Sequence, residues 1–525
     1  MNYVSDLSTP LLNLSAADPF RLVDATSGVA VLGATGSGKT SGTGKALASA
    51  YLRAGFGFLV LCAKPDEVDR WVAYARANGR ENSVIIFGDR GGGGFNFITY
   101  ELARQGVDGL GSVVECLMRI VDAARNCGPN PGGGGDVFWE DAMRQLLRNT
   151  LPILYAATGK VEIPDIIRFV ATAPVGREQM HNADWQSRSF MFRMLEKAAV
   201  APARAIPAHE FDKAERYWTD EYGQLDNRTR SNISISLSTA LDRFNRGRLN
   251  RHFCGETTLV PEMTFHGAII LLDMPALSWN EDGIVAQKLV KFMWQRAVLS
   301  RNALEMRHRD RPVVLWADEA HLFADSSTDA DFLSTCRSSK ACTVFMSQSL
   351  PTFYAKIGGA NPKHKADMLL GNLATKVFHS LADHETALWA AESIGKTIQR
   401  RGNYSEGQNH GSSHGMNTGE GTNWGVNSSV SISNDGKGNQ STSISSGSSS
   451  GLNENWGRNR GFNTGESVSQ GYSEVVDYEI QPGDFARVLK TGGAANGNEV
   501  SAVWFQSGRL FSVSGRNYLL TRFLQ

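Results

Sequence analysis

The chain has 525 residues, 41% of them hydrophobic and 20% charged, which allows roughly two to four globular domains and excludes a fibrous or wholly disordered protein. Lys+Arg and Asp+Glu both number 53, so the net charge is zero. A protein that coats nucleic acid by bulk positive charge is thereby excluded, whereas a local basic channel is not.

The stretch 1–20 has no basic start followed by an apolar core and does not read as a signal peptide. No apolar run reaches ~18 residues, so no transmembrane helix is predicted. Runs such as 267–274 are strand-sized. The cysteines at 62, 116, 127, 254, 336 and 342 form no Cys-x-x-Cys pair and have no histidines at zinc-ligand spacing. They read as reduced, partly buried thiols of a cytosolic protein.

The first strong element is the apolar run 29–32, read as a buried strand. It is followed by Gly33-Ala34-Thr35-Gly36-Ser37-Gly38-Lys39-Thr40 and a helical run over 43–53. The octapeptide fits the phosphate-loop pattern G-x-x-x-x-G-K-[ST] in its strand–loop–helix setting. Its glycines let backbone N–H groups close around a polyphosphate, and the helix N-terminus adds the positive end of its dipole. Lys39 would reach the β- and γ-phosphates and the Thr40 hydroxyl would ligate Mg²⁺, with Ser41 completing the expected ATP-binding set Gly33 to Ser41.

Further short apolar runs at 58–62, 84–87, 268–272, 313–316, 343–346 and 376–379 read as buried parallel strands. Alternating with helices, they predict an α/β fold with helices on both faces of a mainly parallel sheet. The span 106–261 interrupts this pattern. Helical periodicity over 110–124, 137–155, 163–171 and 231–245 predicts an inserted all-α domain, with Asp165 as the cap of a helix over 166–172 just after Pro164. Arg228, Arg230, Arg243, Arg246, Arg248 and Arg251 cluster near its end, with Phe244 and Phe253 beside them. They read either as a phosphate-tracking surface or as a solvated helix face. Residues 402–472 are dominated by Gly, Ser and Asn and predict a flexible insertion, because so few apolar groups cannot offset the ordering entropy. Alternation over 473–489 and 499–511 predicts terminal strands that rejoin the core.

Hydrolysis needs more than a phosphate loop. Residues 312–319, Pro-Val-Val-Leu-Trp-Ala-Asp-Glu, have the form of a Walker B strand ending in two acids. Asp318 would hold the Mg²⁺ through water and Glu319 would act as general base. No Asn-Lys-x-Asp tetrapeptide for guanine occurs, so the nucleotide is read as ATP. Gln348, at the end of the next strand in Met-Ser-Gln-Ser, is placed to sense the γ-phosphate or position water. Arg337, in the loop before that strand, is the candidate arginine finger from a neighbouring subunit. His321, His379 and His384 have no partners at ligand spacing and read as packing or surface residues.

This order of motifs resembles the type IV secretion coupling proteins of bacterial conjugation, the TraG/TraD-like family within the FtsK/HerA group of DNA-pumping ATPases. Leu61 to Glu67 resembles the family's Asp-x-Lys-Gly-Glu element, with Cys62 in place of the Asp. Phe95 to Ile98 resembles its Asn-Pro-Leu element, with Phe97 in place of the Pro. Phe138-Trp139-Glu140 and the stretch 372–395 agree as well. The resemblance implies a RecA-like P-loop NTPase core (1–105, 262–400 and 473–525) and the inserted all-α domain. It further implies a hexameric homo-oligomer with ATP at subunit interfaces, DNA in the pore, and the relaxase–DNA or secreted substrate recognised by the helical domain. Many coupling proteins carry N-terminal membrane helices and none is predicted here. Contact with type IV secretion components of the inner membrane would then run through partners, or the protein works free in the cytoplasm. Two other readings stand beside this one: an FtsK/HerA-like enzyme of DNA packaging, end processing or defence, and a nucleotide-gated adaptor without catalysis.

Overall fold

The computed structural model describes residues 3–127, 137–200, 206–418, 422–434, 440–451 and 458–525. Parts of the expected helical domain (128–136, 201–205) and of the expected insertion (419–421, 435–439, 452–457) lie outside the described residues. The chain divides into two compact units, Met1–Ala390 with Pro482–Gln525, and Ala391–Gln481.

The strands in chain order are β1 (Pro10–Asn13), β2 (Pro19–Arg21), β3 (Val29–Leu32), β4 (Gly57–Leu61), β5 (Val84–Gly88), β6 (Ile269–Asp273), β7 (Val313–Ala317), β8 (Ala341–Ser347), β9 (Thr375–Phe378), β10 (Lys396–Thr418), β11 (Thr422–Asn434), β12 (Gln440–Gly451), β13 (Arg458–Tyr478), β14 (Glu499–Gln506) and β15 (Tyr518–Leu524). In the first unit β1 and β2 form an antiparallel pair, and a nine-stranded sheet runs in the order β15-β14-β9-β3-β8-β7-β4-β6-β5. From β9 to β5 every neighbouring pair is parallel, while β14 is antiparallel to both β9 and β15. The parallel strands are the apolar runs expected from the sequence. β3, β4, β6, β7 and β8 are buried at every residue, as helices on both faces require. One face is closed by the helix Asp66–Ala77, whose Trp71 ring packs edge-on against Phe58 and Trp316, 5.2 Å from each. That contact ties the helix to β4 and β7 and fixes the turn between β4 and the helix.

Between β5 and β6 the regular elements among the described residues are helices, including Gly109–Asn126, Val137–Thr158, Ile163–Ala171, Phe190–Val200, Ala208–Arg216 and Asn227–Asp242. Phe169, Trp218 and Tyr222 pack together at their centre, and the Trp218 indole N–H donates to the Asn149 carbonyl at 3.0 Å. The helix expected over 166–172 begins earlier, at Ile163. Pro164 fits a first helical turn, where its missing N–H costs nothing, so Asp165 lies inside the helix instead of capping it.

Where the sequence leads one to expect a flexible insertion over 402–472, the described residues of that span lie in strands of the second unit. It forms a four-stranded antiparallel sheet in the order β12-β11-β10-β13, with β10 running for 23 residues. Trp424, Val426, Val430 and Ile432 fall at even spacing in β11, a strand period that the Gly/Ser/Asn average conceals. In register, Met416 pairs with Trp424, His414 with Val426, and Val430 with both His410 and Ile444. Backbone pairing over such lengths satisfies the main chain without needing a large apolar face. The expected strand 473–489 ends early, at Tyr478, because Pro482-Gly483 break the run and Asp484–Arg487 turns helical. β15 was not foreseen.

Gly57 opens β4, and a Cβ there would lie 1.9 Å from the Thr264 carbonyl oxygen. Gly57→Ala should therefore cost about 2–4 kcal/mol of stability, read as a lowered denaturant midpoint of the whole chain.

Candidate nucleotide site

The register of the parallel strands builds the site. Leu32 of β3 pairs with Ser347 of β8 and with Phe378 of β9; Ala317 of β7 pairs with Phe345 of β8 and with Leu61 of β4. The loops after β3, β4, β7, β8 and β9 thus emerge along one carboxyl edge, where open α/β sheets bind ligands.

In the loop after β3, Gly36 and Gly38 have φ of +77° and +81°, which only glycine adopts without strain. A Cβ on Gly36 would meet open space, so this side of the loop is accessible, whereas one on Gly38 would strike Val500 of β14 at 2.6 Å. Thr40–Gly44 form a π-helical turn in which the Gly44 N–H donates to the Lys39 carbonyl at 2.8 Å, and the helix Lys45–Arg53 follows. Lys39 is 7% exposed, and no acid lies within ion-pair distance of it among the described residues. The Ser37 hydroxyl is buried without a hydrogen-bond partner among the described residues. A buried ammonium with no acid in ion-pair contact, an orphaned hydroxyl and a helix N-terminus together fit a polyphosphate. The Ser41 hydroxyl accepts from the Gln525 side chain at 2.7 Å. Behind the loop, His379 pairs through Nε2 with the Thr43 hydroxyl at 2.9 Å. Burial, reinforced by the charge of Lys39, lowers the His379 pKa to about 3. The imidazole is therefore a neutral prop under the loop.

The acid pair faces this loop. Asp318, 4% exposed, accepts the Thr40 hydroxyl at 2.8 Å and lies 3.7 Å from Arg70. Two hard oxygens converging at the foot of the cradle fit a Mg²⁺ ion. Glu319, 5% exposed, has φ 56° and ψ 45°, a left-handed backbone unusual outside glycine that turns the chain sharply after β7. Its Oε1 accepts Lys64 Nζ at 2.9 Å and Gln348 Nε2 at 3.3 Å. Its Oε2 lies 3.8 Å from His321 Nδ1, which also hydrogen-bonds Ser347 at 3.0 Å. Burial pushes the Glu319 pKa up, but the Lys64 hydrogen bond, the charges of Lys39 and Lys64, and the Gln348 hydrogen bond outweigh it. The net shift is downward, so the carboxylate is ionised. Glu67 lies behind the pair. It is 2% exposed, with one oxygen accepting the Ala63 N–H at 3.0 Å and the other without a hydrogen-bond partner among the described residues. Burial first, then the nearby charge of Asp318, raises its pKa to about 8, so it is protonated at neutral pH.

The structure thus brings Gly33 to Ser41, Asp318, Glu319 and Gln348 to one place. Arg337 is elsewhere. It is exposed, in the turn before β8, about 20 Å of strand from the carboxyl edge. Lys64, Glu67, Arg70, His321 and His379 were not foreseen as site residues. Lys64 and Glu67 lie in the 61–67 element noted for its resemblance, but their role depends on β4 adjoining β7, which spacing does not reveal. Half of the arginine cluster is ion-paired. Arg243 pairs with Glu281 and Asp282, Arg246 with Asp242 and Arg248 with Asp89, while Arg230 is buried.

The fold is that of the RecA-like P-loop NTPases, with a helical stretch between two of its strands. Within that class, residues 312–433 match the family described as the TraM recognition site of TraD and TraG. Among solved structures, the bacterial conjugative coupling protein TrwBdeltaN70 in its unbound form superposes with a TM-score of 0.54 at 14% identity, over 99% of this chain and 90% of that one. TrwB in complex with the non-hydrolysable ATP analogue ADPNP gives 0.53 at 14% identity over 99% and 90%. TrwB in complex with ADP and Mg²⁺ gives 0.52 at 12% identity over 99% and 89%. At such identities the structural likeness establishes the fold. No curated protein matches in sequence. Profile and fold agree with the resemblance to the TraG/TraD-like coupling proteins. No helix among the described residues is long and apolar enough to cross a membrane.

Glu67 supplies a pH test. Its folded pKa, about 8, lies above the ordinary 4.5, so the folded state is penalised as the unfolded carboxyl ionises. Stability is fully present below the lower value and lost as pH rises towards the upper one, on the order of 5 kcal/mol at full extent. Glu67→Gln should flatten the decline of the denaturation midpoint between about pH 5 and pH 8 relative to wild type.

Proposed function

We propose that this protein is an ATP-driven DNA translocase that works as a coupling protein, delivering relaxase-bound DNA to a type IV secretion channel. The observation that carries the ATPase part is the Thr40–Asp318 hydrogen bond of 2.8 Å, which joins the phosphate loop to the acid pair. Lys39 and the loop N–H groups hold the β- and γ-phosphates. Thr40 and Asp318 would hold Mg²⁺, which would supply neutralisation of the developing phosphate charge. Glu319 takes the proton of the attacking water, and Gln348, already hydrogen-bonded to Glu319, orients that water. TrwB has been solved with an ATP analogue and with ADP and Mg²⁺, which supports the same ligands here. The match of 312–433 to the TraM recognition site of TraD and TraG supports a partner of the conjugative machinery.

On this reading the motor core is the expected 1–105, 262–400 and 473–525 less the residues of the second unit, that is 1–105, 262–390 and 482–525, and 106–261 is the inserted all-α domain that receives the substrate. The protein acts in the cytoplasm, at the inner membrane through secretion-system partners, as a homo-hexamer around DNA. Arg337, remote from its own site, serves the neighbour's. An adaptor without turnover is disfavoured by the ionised Glu319 beside the cradle.

The test is ATP turnover with and without single- and double-stranded DNA. DNA is expected to stimulate hydrolysis. Lys39→Ala should lose nucleotide binding, and Glu319→Gln should keep binding but lose about 100-fold or more in kcat. Turnover indifferent to DNA sinks the translocase, and binding without turnover favours the adaptor. Arg337→Ala should lower kcat by about 1,000-fold, and mixing it with Glu319→Gln protein should recover part of the activity through hybrid interfaces. No recovery on mixing would place Arg337 outside the neighbour's site.

A further inference from the structure

We propose that Gln525 reads the base of the nucleotide: with the loop 491–498 it forms the nucleoside end of the site and selects adenine over guanine. The proposal rests on the nucleotide reading above and concerns the part of the substrate that the phosphate loop and the acid pair do not touch. Strand order decides where that part lies. β8 and β7, which lead to Gln348, Asp318 and Glu319, stand on one side of β3, while β9, β14 and β15 stand on the other. The terminal phosphate belongs beside the acids that act on it. The other end of the substrate therefore leaves the phosphate loop on the opposite flank, towards β14 and β15.

That flank is built against the loop. β14 runs antiparallel to β9, so its first residues stand at the carboxyl edge, and β15 ends beside them with Leu524 paired to Glu499. Val500, fully buried, packs so closely that a Cβ on Gly38 would strike it at 2.6 Å and one on Gly42 would meet it at 3.1 Å. Gln525 follows β15. Its Nε2 donates to the Ser41 hydroxyl at 2.7 Å, one residue beyond Thr40, and its Oε1 accepts the Gly493 N–H at 2.9 Å. Its own backbone N–H donates to the Asn498 carbonyl at 3.0 Å. Gly492, at φ +83°, lets the loop close on this amide, since a Cβ there would lie 2.4 Å from the Gln525 side-chain carbonyl carbon. Backbone and side chain are thus both held, which spares the cost of ordering a flexible amide on binding.

Beyond these bonds the amide keeps one N–H and one oxygen lone pair among the described residues, and Gln525 is exposed. A donor and an acceptor side by side on one planar group match N7 and the exocyclic amino group of adenine. Guanine presents two acceptors, N7 and O6, and sets its O6 against the amide oxygen. A mismatch that leaves a polar group unpaired discriminates more strongly than a poor fit of shape. Gln525 is on this account a specificity-determining residue, and the phosphate half of the site is indifferent to it.

The test is equilibrium binding to the full chain of four probes with Mg²⁺: ATP, GTP, deaza-ATP (in which carbon replaces N7) and inorganic tripolyphosphate. Wild type should bind ATP about tenfold more tightly than GTP or deaza-ATP. Gln525→Ala should lose about tenfold for ATP and bind the three nucleotides within about twofold of one another, while its tripolyphosphate affinity stays within about twofold of wild type. Gln525→Glu keeps the acceptor without the N–H. It should no longer distinguish ATP from deaza-ATP, a ratio that its added charge does not affect. A Gln525→Ala protein that loses tripolyphosphate as much as ATP makes Gln525 a mere prop for Ser41 and overturns the proposal. So does wild type that binds ATP, GTP and deaza-ATP alike, a comparison that needs no variant to fold. Wild type that binds neither ATP nor tripolyphosphate defeats the nucleotide reading itself, a result distinct from both.

Discussion

The hydrogen bond between Thr40 and Asp318 depends on one constraint, the order of strands at the centre of the sheet. β8 alone separates β3 from β7. With strands about 4.8 Å apart, the ends of β3 and β7 are about 10 Å apart, a gap that the loop and two side chains span. A second intervening strand would widen it to about 14 Å and leave the acids without the loop. The same arithmetic places Lys64 and Gln348. β4 flanks β7 on its far side and β8 fills the middle, so each side chain reaches Glu319 from one strand away. β9, on the other side of β3, brings His379 under the loop.

The phosphate loop and the acid-tipped strand were legible because their chemistry is local. Glycines at fixed spacing and an apolar run ending in two acids fold as written wherever they stand. The parallel strands were legible because full burial on both faces leaves continuous apolar runs. Partners supplied by neighbouring strands were not. Lys64 in the turn after β4 and Glu67 in the first turn of the helix beyond it gain meaning only once β4 is known to flank β7, and His379 looks like any histidine at a strand end. The long strands of 396–478 escaped for another reason. Composition argues about burial, whereas antiparallel ladders of this length are held by backbone pairing, and the apolar alternation of β11 is diluted by the serines around it.

The site also concentrates costs that the rest of the molecule offsets. Glu319 holds a left-handed backbone, and among the described residues Lys39 is buried with no acid in ion-pair contact and Glu67 is buried as a neutral acid with one oxygen lacking a hydrogen-bond partner. Each is unfavourable by itself. They persist because the strands beneath are buried at every residue and because Trp71 locks the helix beyond Lys64 onto β4 and β7.

Charge carries the synthesis one step further. The chain carries zero net charge, and Arg243, Arg246 and Arg248 are each tied to an acid, which lowers the number of unpaired cations in that cluster. On the proposed reading a single copy therefore grips DNA weakly, since phosphate binding scales with the number of unpaired cations brought to the backbone. A ring repeats those few contacts around one duplex or strand, so affinity arises from effective concentration, not from any one surface. The same symmetry would bring Arg337, useless at its own carboxyl edge, within reach of a neighbour. Oligomerisation on this account supplies both missing parts at once, the grip on substrate and the last cation at the phosphate.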